Sequence, residues 1–361
     1  MKMVLFAAVA LLAGCAGLQP STGASGALPQ SGKTAGLMPL WLQRDAALSM
    51  RHYVQRPAHP DHGSSWVLPQ AKNSKVLLYV ADWSTNDEYI YDYPSGKSVG
   101  VITGLDEPYG GCVDAKGDVY IANFGNGTVD EYAHGGTKQI NQYSPGGEMM
   151  GCSVDSKGDL AATSFNPGEV IVYAKGNTKD STTYSDSSCE YIWTMGYDDK
   201  DNLVGVGESS GIDVCALMAG SKSETTLTEK GITIDFPGGT TWDGEYIALG
   251  DQEAGGHYDT GMWPSTISGT TISSSTESVF TATCYSDYVD DVNPFVLGKK
   301  NTPVNKKQGK VMVGTNLWCA DSGSGGGVDV WHYPAGGDPF KNIPNTISEP
   351  YGVILSIATG K

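Results

Sequence analysis

The chain has 361 residues, 39% hydrophobic and 17% charged, with 48 glycines, 19 tyrosines and a formal net charge of -17. That length suits one large domain or two small ones, and abundant Gly and Tyr with few long apolar runs point to an all-β protein rich in turns. The acidic balance argues against a nucleic-acid partner, which asks for a basic face, and against electrostatic docking on anionic lipid.

At the start, Met1-Lys2-Met3 sets one positive charge ahead of the apolar run Val4 to Leu12, and the small residues Ala13 and Gly14 precede Cys15. This is the layout of a secretory signal. The run is too short to span a bilayer, which takes about 20 apolar residues. Leu12-Ala13-Gly14-Cys15 resembles the bacterial lipobox, in which the cysteine thiol receives diacylglycerol before cleavage. The resemblance implies a signal peptide over 1–14 and a lipidated Cys15 facing outside the cytoplasm; the alternative is an ordinary secreted protein with a coincidental cysteine. Ala16 is not the aspartate associated with inner-membrane retention, so the expected address is the cell envelope, at the outer membrane if the source is Gram-negative. Residues 15–37, small and polar with Pro and Gly, read as a flexible tether. Gly32-Lys33-Thr34 has the tail of a phosphate-binding loop but neither its first glycine nor a preceding strand, and is rejected as one. Residues 38–65 form an N-terminal extension, with one short helix expected over 40–53. The pair His59 and His62 flanks Pro60, which excludes a regular helix and leaves a loop.

From residue 66 to 361 the pattern is β, and internal repeats organise it. Glu107-PYGGCVDAKGDVYIANFGNG is followed by Glu148-MMGCSVDSKGDLAATSFNPG and Glu190-YIWTMGYDDKDNLVGVGESSG. The period is roughly 40 residues, in the range of propeller blades. Degenerate copies begin at Pro237 and Asn293. Lys75-VLLYVADWS holds the second strand of a copy that lacks its first, and the missing strand is Glu349-PYGVILSIATGK at the other terminus. Joined, the two ends complete one blade, the closure that leaves a ring no open edge. The expected fold is an all-β, six-bladed β-propeller closed by the C-terminal strand.

The blade pattern carried by Pro108, Gly110, Val113, Asp114, Gly117, Asp118, Val119, Tyr120, Ala122 and Asn123, and repeated at Val154, Asp155, Gly158 and Asp159, resembles the NHL-repeat family of six-bladed propellers. The same architecture is similar to that of the senescence-marker/gluconolactonase group. That likeness implies, as the second of two functional readings, a metal-dependent hydrolase or lyase of lactonase type working in the channel. The first reading is a lipid-anchored module that binds an envelope protein or a small-molecule ligand, because propeller loops frame a concave platform and no complete nucleophile or acid–base set is present.

Four recurring glutamates, Glu107, Glu148, Glu190 and Glu349, stand just before first strands, so four carboxylates are expected around one mouth of the channel. Oxygen ligands from several blades would suit calcium, which takes roughly 6–8 of them; the competing reading is that each serves its own turn or faces solvent. The ladder Asp114, Asp155, Asp198 and Asp243 falls where a carboxylate bonds its own backbone two residues on, a structural turn. Gly207 to Gly211 matches a nucleophile elbow in letters, but the repeat puts it in a β-hairpin and not in a strand-to-helix turn. Asp287, Asp290 and Asp291 form an acidic stretch that could join the mouth or simply be solvated. Without Cys15, six cysteines remain, an even number that permits three disulfides with many connectivities open. Neighbouring inner strands suggest Cys112–Cys152, with Cys189–Cys215 and Cys284–Cys319 completing a set.

Overall fold

The computed structural model describes residues 63–254, 259–281, 292–294, 297–298, 302–303, 311–316 and 326–358. The chain divides into two units, Met1–His52 and Tyr53–Lys361, and every described residue belongs to the second. The helix expected over 40–53, His59, His62, the acidic residues Asp287, Asp290 and Asp291, and Cys284 and Cys319 lie outside the described residues.

Six sheets, antiparallel apart from one outer strand in blade 5, form the blades of a β-propeller, and the only described helix is one 3-10 turn, Pro69–Asn73. The innermost strands are, in ring order, Pro350–Ile357, Pro108–Val113, Met149–Val154, Tyr191–Tyr197, Pro237–Trp242 and Val292–Pro294. Each lies against the next, and the last lies against the first. Blade 1 is the composite one. Its inner strand, Pro350–Ile357, pairs antiparallel with Val76–Asp82, Val80 opposite Val353. The two termini of the propeller therefore share one sheet, as the sequence match predicts. Blade 1 also gains a short outer strand, Trp66–Val67, against Lys97–Thr103. Blade 5 departs most from the repeat. Its third strand, Asp259–Ser268, runs on into a hairpin with Thr271–Ser273, and Thr228–Lys230 adds itself in parallel outside that.

The core explains why the second strands read as nearly continuous apolar runs. Both faces of each blade are covered by neighbours, so alternation carries no polar side. In Val76–Asp82 every residue is buried. Val76, Leu78 and Val80 pack toward blade 6 with Val311, Val313 and Val330, whereas Leu77 and Tyr79 pack toward blade 2 with Val119 and Ile121. The same division recurs around the ring. Ala162 faces blade 2 and Ala161 faces blade 4; Val204 faces blade 5, and Ala248 faces blade 6 alongside Phe280 and Trp331. One apolar layer thus fills each interface between adjacent blades.

Candidate functional site at the channel mouth

Because each blade is an antiparallel meander, its loops alternate between the two ends of the channel. The turns from first to second strand, and from third to fourth, lie at one end. The hairpins from second to third strand and the segments entering the next inner strand lie at the other, here called the mouth.

The Asp ladder sits at the end away from the mouth and is structural. Asp155 Oδ1 accepts the backbone N–H groups of Lys157, Gly158 and Asp159 at 2.8–2.9 Å. Asp114, Asp198 and Asp243 each accept two in the same way. The segment Gly207 to Gly211 spans the end of strand Leu203–Glu208, a bend and the approach to strand Ile212–Leu217. It is a β-hairpin, closed by Ser209 N–H on the Gly211 carbonyl at 3.1 Å.

At the mouth a second device recurs in blades 1, 2 and 5, built on the polar residue that ends the second strand. Asp82, wholly buried, accepts the N–H groups of Ser348 and Glu349 at 2.8 and 3.1 Å, as well as the Ser84 N–H. Asn123 Oδ1 accepts from Asp106 N–H at 3.2 Å. Asp251 accepts from Asp235 and Phe236 N–H at 2.9 and 3.1 Å. Each clasp fixes the backbone just before it enters an inner strand. The residue after the second strand's last one adds a backbone bond of its own in blades 1, 2 and 3. Trp83 N–H donates to the Glu349 carbonyl at 3.0 Å, Phe124 N–H to that of Glu107 at 3.0 Å, and Phe165 N–H to that of Glu148 at 2.8 Å. Three consecutive blades therefore each set one aromatic ring beside one glutamate.

These rings join others from the inner strands into an arc. Trp83 lies 5.0 Å from Phe124 and 5.2 Å from Tyr351, and Tyr109 lies 4.9 Å from Tyr351. Further around, Phe165 lies 5.2 Å from Tyr191 and 5.4 Å from Trp193, and Trp193 lies 5.1 Å from Phe236. These are the separations of favourable aromatic pairs. Tyr109, Trp193 and Phe236 are buried; Trp83, Phe124, Phe165, Tyr191 and Tyr351 keep part of their surface in solvent. The indole N–H of Trp193 donates to the buried carboxyl of Glu208 at 3.2 Å, which anchors that ring.

The four glutamates stand one per blade on this rim and do not converge. Glu190 is exposed, while Glu107, Glu148 and Glu349 are half-buried. Glu107 holds a left-handed backbone (φ 54°), unusual without glycine, stabilised by its N–H on Asn86 Oδ1 at 3.0 Å. The Glu148 carboxyl is pushed up from the usual range by burial and then by the charge of Glu107; the Tyr191 hydroxyl is pushed up by burial and the charges of Glu190 and Glu148. Among the described residues no group of three or more His, Cys, Asp or Glu is placed to hold a metal ion. The calcium-binding ring expected from Glu107, Glu148, Glu190 and Glu349 is therefore not assembled there. Spacing by blade brings neighbours into electrostatic reach without gathering all four on one point.

Two disulfides brace the propeller, one toward the far ends of two inner strands and one at the mouth side of blade 4. Cys112–Cys152 ties the inner strands of blades 2 and 3, and Cys189–Cys215 ties the entry to blade 4 to that blade's third strand.

No family model matches the sequence, and no curated protein matches it. Solved structures do. A chain of a nidogen/laminin complex is 13% identical with a TM-score of 0.57, covering 79% of this chain and 100% of its own length. A protein of unknown function from Bacteroides caccae is 10% identical with a TM-score of 0.56, covering 78% of this chain and 99% of its own. At such identities the likeness speaks for the fold alone, and the chain is a six-bladed β-propeller.

Proposed function

We propose that this protein is a lipid-anchored cell-envelope propeller of NHL-like blade pattern whose channel mouth binds a partner protein. The observation that carries the reading is the aromatic arc. Five blades contribute rings to one rim, and three place theirs through the same backbone bond. Partly exposed aromatics on a rigid scaffold are what binding surfaces concentrate. The lipobox-like Leu12-Ala13-Gly14-Cys15 supports the anchor. The lactonase-type alternative asks for converging metal ligands, which the described residues do not assemble.

Two experiments test the reading. Cys15→Ser is expected to move the protein from the membrane to the soluble fraction, and unchanged fractionation removes the anchor from the proposal. In cells, a photoreactive Ser210→p-benzoylphenylalanine, exposed in the blade 4 mouth hairpin, is expected to yield a discrete adduct that Trp83→Ala abolishes. The same group at Asp199, exposed at the other end of the channel, is expected to yield none. Equal labelling from both ends would sink the mouth as the binding face.

A further inference from the structure

The boundary between blades 3 and 4 buries a carboxyl that the fold leaves without a partner. Glu224 ends the turn before the fourth strand of blade 4, Thr225–Thr226, and is 5% exposed. Neither of its carboxylate oxygens has a hydrogen-bond partner, and the hydroxyl of Thr226 is buried without one as well. Thr226 pairs with Cys215, and side chains two apart in extended chain share a face. Glu224 therefore lies on the side of blade 4 that packs against blade 3, where Cys215 meets Ala161 and Val170. Two more carboxylates act on it from the blade 3 side. Glu169 stands at the start of the third strand, Glu169–Tyr173, and Asp186 stands in the segment that enters blade 4. No cation is among the charges that reach Glu224, and Lys222, in the same turn, is exposed. Burial first, then the charges of Asp186 and Glu169, push the Glu224 carboxyl up to about 7. The Asp186 N–H opposes this in part, near the carboxyl but not in bonding geometry.

This cluster is tied to the rim. Asp186 heads a turn in which its Oδ1 accepts the Ser188 N–H at 2.8 Å and its carbonyl accepts the Cys189 N–H at 3.0 Å. Cys189 is bonded to Cys215, the residue opposite Thr226, and Glu190 and Tyr191 follow it directly at the mouth. We propose that Glu224, with Asp186 and Glu169, is a proton-operated latch on the blade 4 entry, closed when Glu224 carries a proton and loosened when it ionises. In the protonated state Glu224 is neutral and adds a donor to a set of acceptors. In the ionised state a buried charge faces two others of its own sign, and both burial and repulsion favour opening. The carboxylates are not placed as metal ligands, so the species the cluster takes up is a proton. The sign follows from the raised folded-state value. The cost of ionising Glu224 is absent below about pH 4.5, where the carboxyl is protonated whether the boundary is closed or open. It grows as pH rises and is fully present above about pH 7. The segment 185–190 is therefore held more firmly in mildly acid than in mildly alkaline solution. The latch concerns how the fold holds the rim and stands apart from what the rim binds.

The test is amide hydrogen exchange on the full-length chain in a neutral detergent at physiological salt, from pH 5.5 to 8, corrected for the intrinsic pH dependence of exchange. Protection of residues 186–190 and 225–227 is expected to fall about tenfold across that range and to level off above about pH 7. Glu224→Gln, which keeps the shape and removes the titration, is expected to hold protection high and flat with pH. Asp186→Asn keeps an oxygen for the Ser188 N–H and removes one of the two charges acting on Glu224, so its protection is expected to level off at a lower pH than in the parent. That variant decides the matter if Glu224→Gln fails to fold. Glu277→Gln is the control. Its carboxyl, in blade 5, is also pushed up to about 7, by burial and the charges of Asp251 and Asp235, and its loss is expected to leave the profile of 186–190 unchanged. A parent profile that is flat with pH, a Glu224→Gln profile that still falls, or an unmoved profile in Asp186→Asn overturns the latch. So does full protection at pH 8 on adding millimolar calcium, which would make the cluster a cation site. Cross-linking from position 210 is scored separately, so either reading can fail without the other.

Discussion

One inner strand holds the contrast between the two ends of the molecule. Met149–Val154 begins beside Glu148 at the mouth and ends beside Asp155 at the other end. The two carboxylates lie seven positions apart in sequence and do opposite things. Asp155 spends its charge on its own turn, with three backbone N–H groups converging on one oxygen. Glu148 uses its backbone carbonyl for structure, accepting from Phe165, and keeps its carboxyl half-buried beside Glu107, where both burial and repulsion disfavour the charge. A carboxylate satisfied by its own backbone belongs to the fold. One held in an unfavourable place by the fold is available for something else.

The largest effect on this comparison is expected at the clasp that holds the mouth in place. Asp82→Ala removes a wholly buried acceptor and strands the N–H groups of Ser348 and Glu349. Leaving such donors unsatisfied costs about 1–3 kcal/mol each. Because those residues lead into the strand that closes the ring, the loss falls on the composite blade. A destabilisation of about 3 kcal/mol in denaturant titration, together with earlier hydrogen exchange in Pro350–Ile357, is the expected result. A change below about 0.5 kcal/mol, the size of an ordinary surface substitution, would mean that the clasp is ornamental and that the aromatic–glutamate pairs are placed by packing.

Much of this was legible in the sequence, and the rest has identifiable reasons for being missed. The repeats from Glu107, Glu148 and Glu190, and their echo at Glu349, specify the blades and the closure, because a strand pattern that recurs at a fixed period has few ways to bury its apolar faces. The Asp ladder was legible because its chemistry is local, completed within four residues. The mouth was only half legible. The glutamates stand out as letters, but their relation to one another depends on the radius of the ring, which no local pattern reports; hence the calcium site that the described residues do not assemble. The aromatic arc did leave a signal. Asp82-Trp83, Asn123-Phe124 and Ser164-Phe165 occupy the same repeat position, a polar residue followed by an aromatic at the end of a second strand. The polar member is the clasp in the first two, and the ring is the surface in all three. The elaborated edge of blade 5, with Thr228–Lys230 parallel to Thr271–Ser273, breaks the repeat, so repetition could not foretell it.

The finest test sets the two carboxylates of Met149–Val154 against each other. Asp155→Ala removes an acceptor from three N–H groups in a solvent-accessible turn and is expected to destabilise by about 1 kcal/mol. Glu148→Gln is expected to do the reverse, by less. The folded-state pKa of Glu148 lies above its unfolded value, so ionising it costs the folded state. That cost is absent when the carboxyl is protonated in both states, sets in as pH rises from the unfolded value through the folded one, and is fully present at neutral pH. Glu148→Gln should therefore melt slightly above the parent protein at pH 7 and level with it near pH 4 or below. Stability gained from this substitution together with loss of the adduct from position 210 would mark Glu148 as a residue that the fold carries at a cost for the sake of the mouth. If Glu148→Gln instead destabilises at pH 7 as Asp155→Ala does, the rim glutamate is another structural carboxylate, and the distinction between the two ends of the channel dissolves.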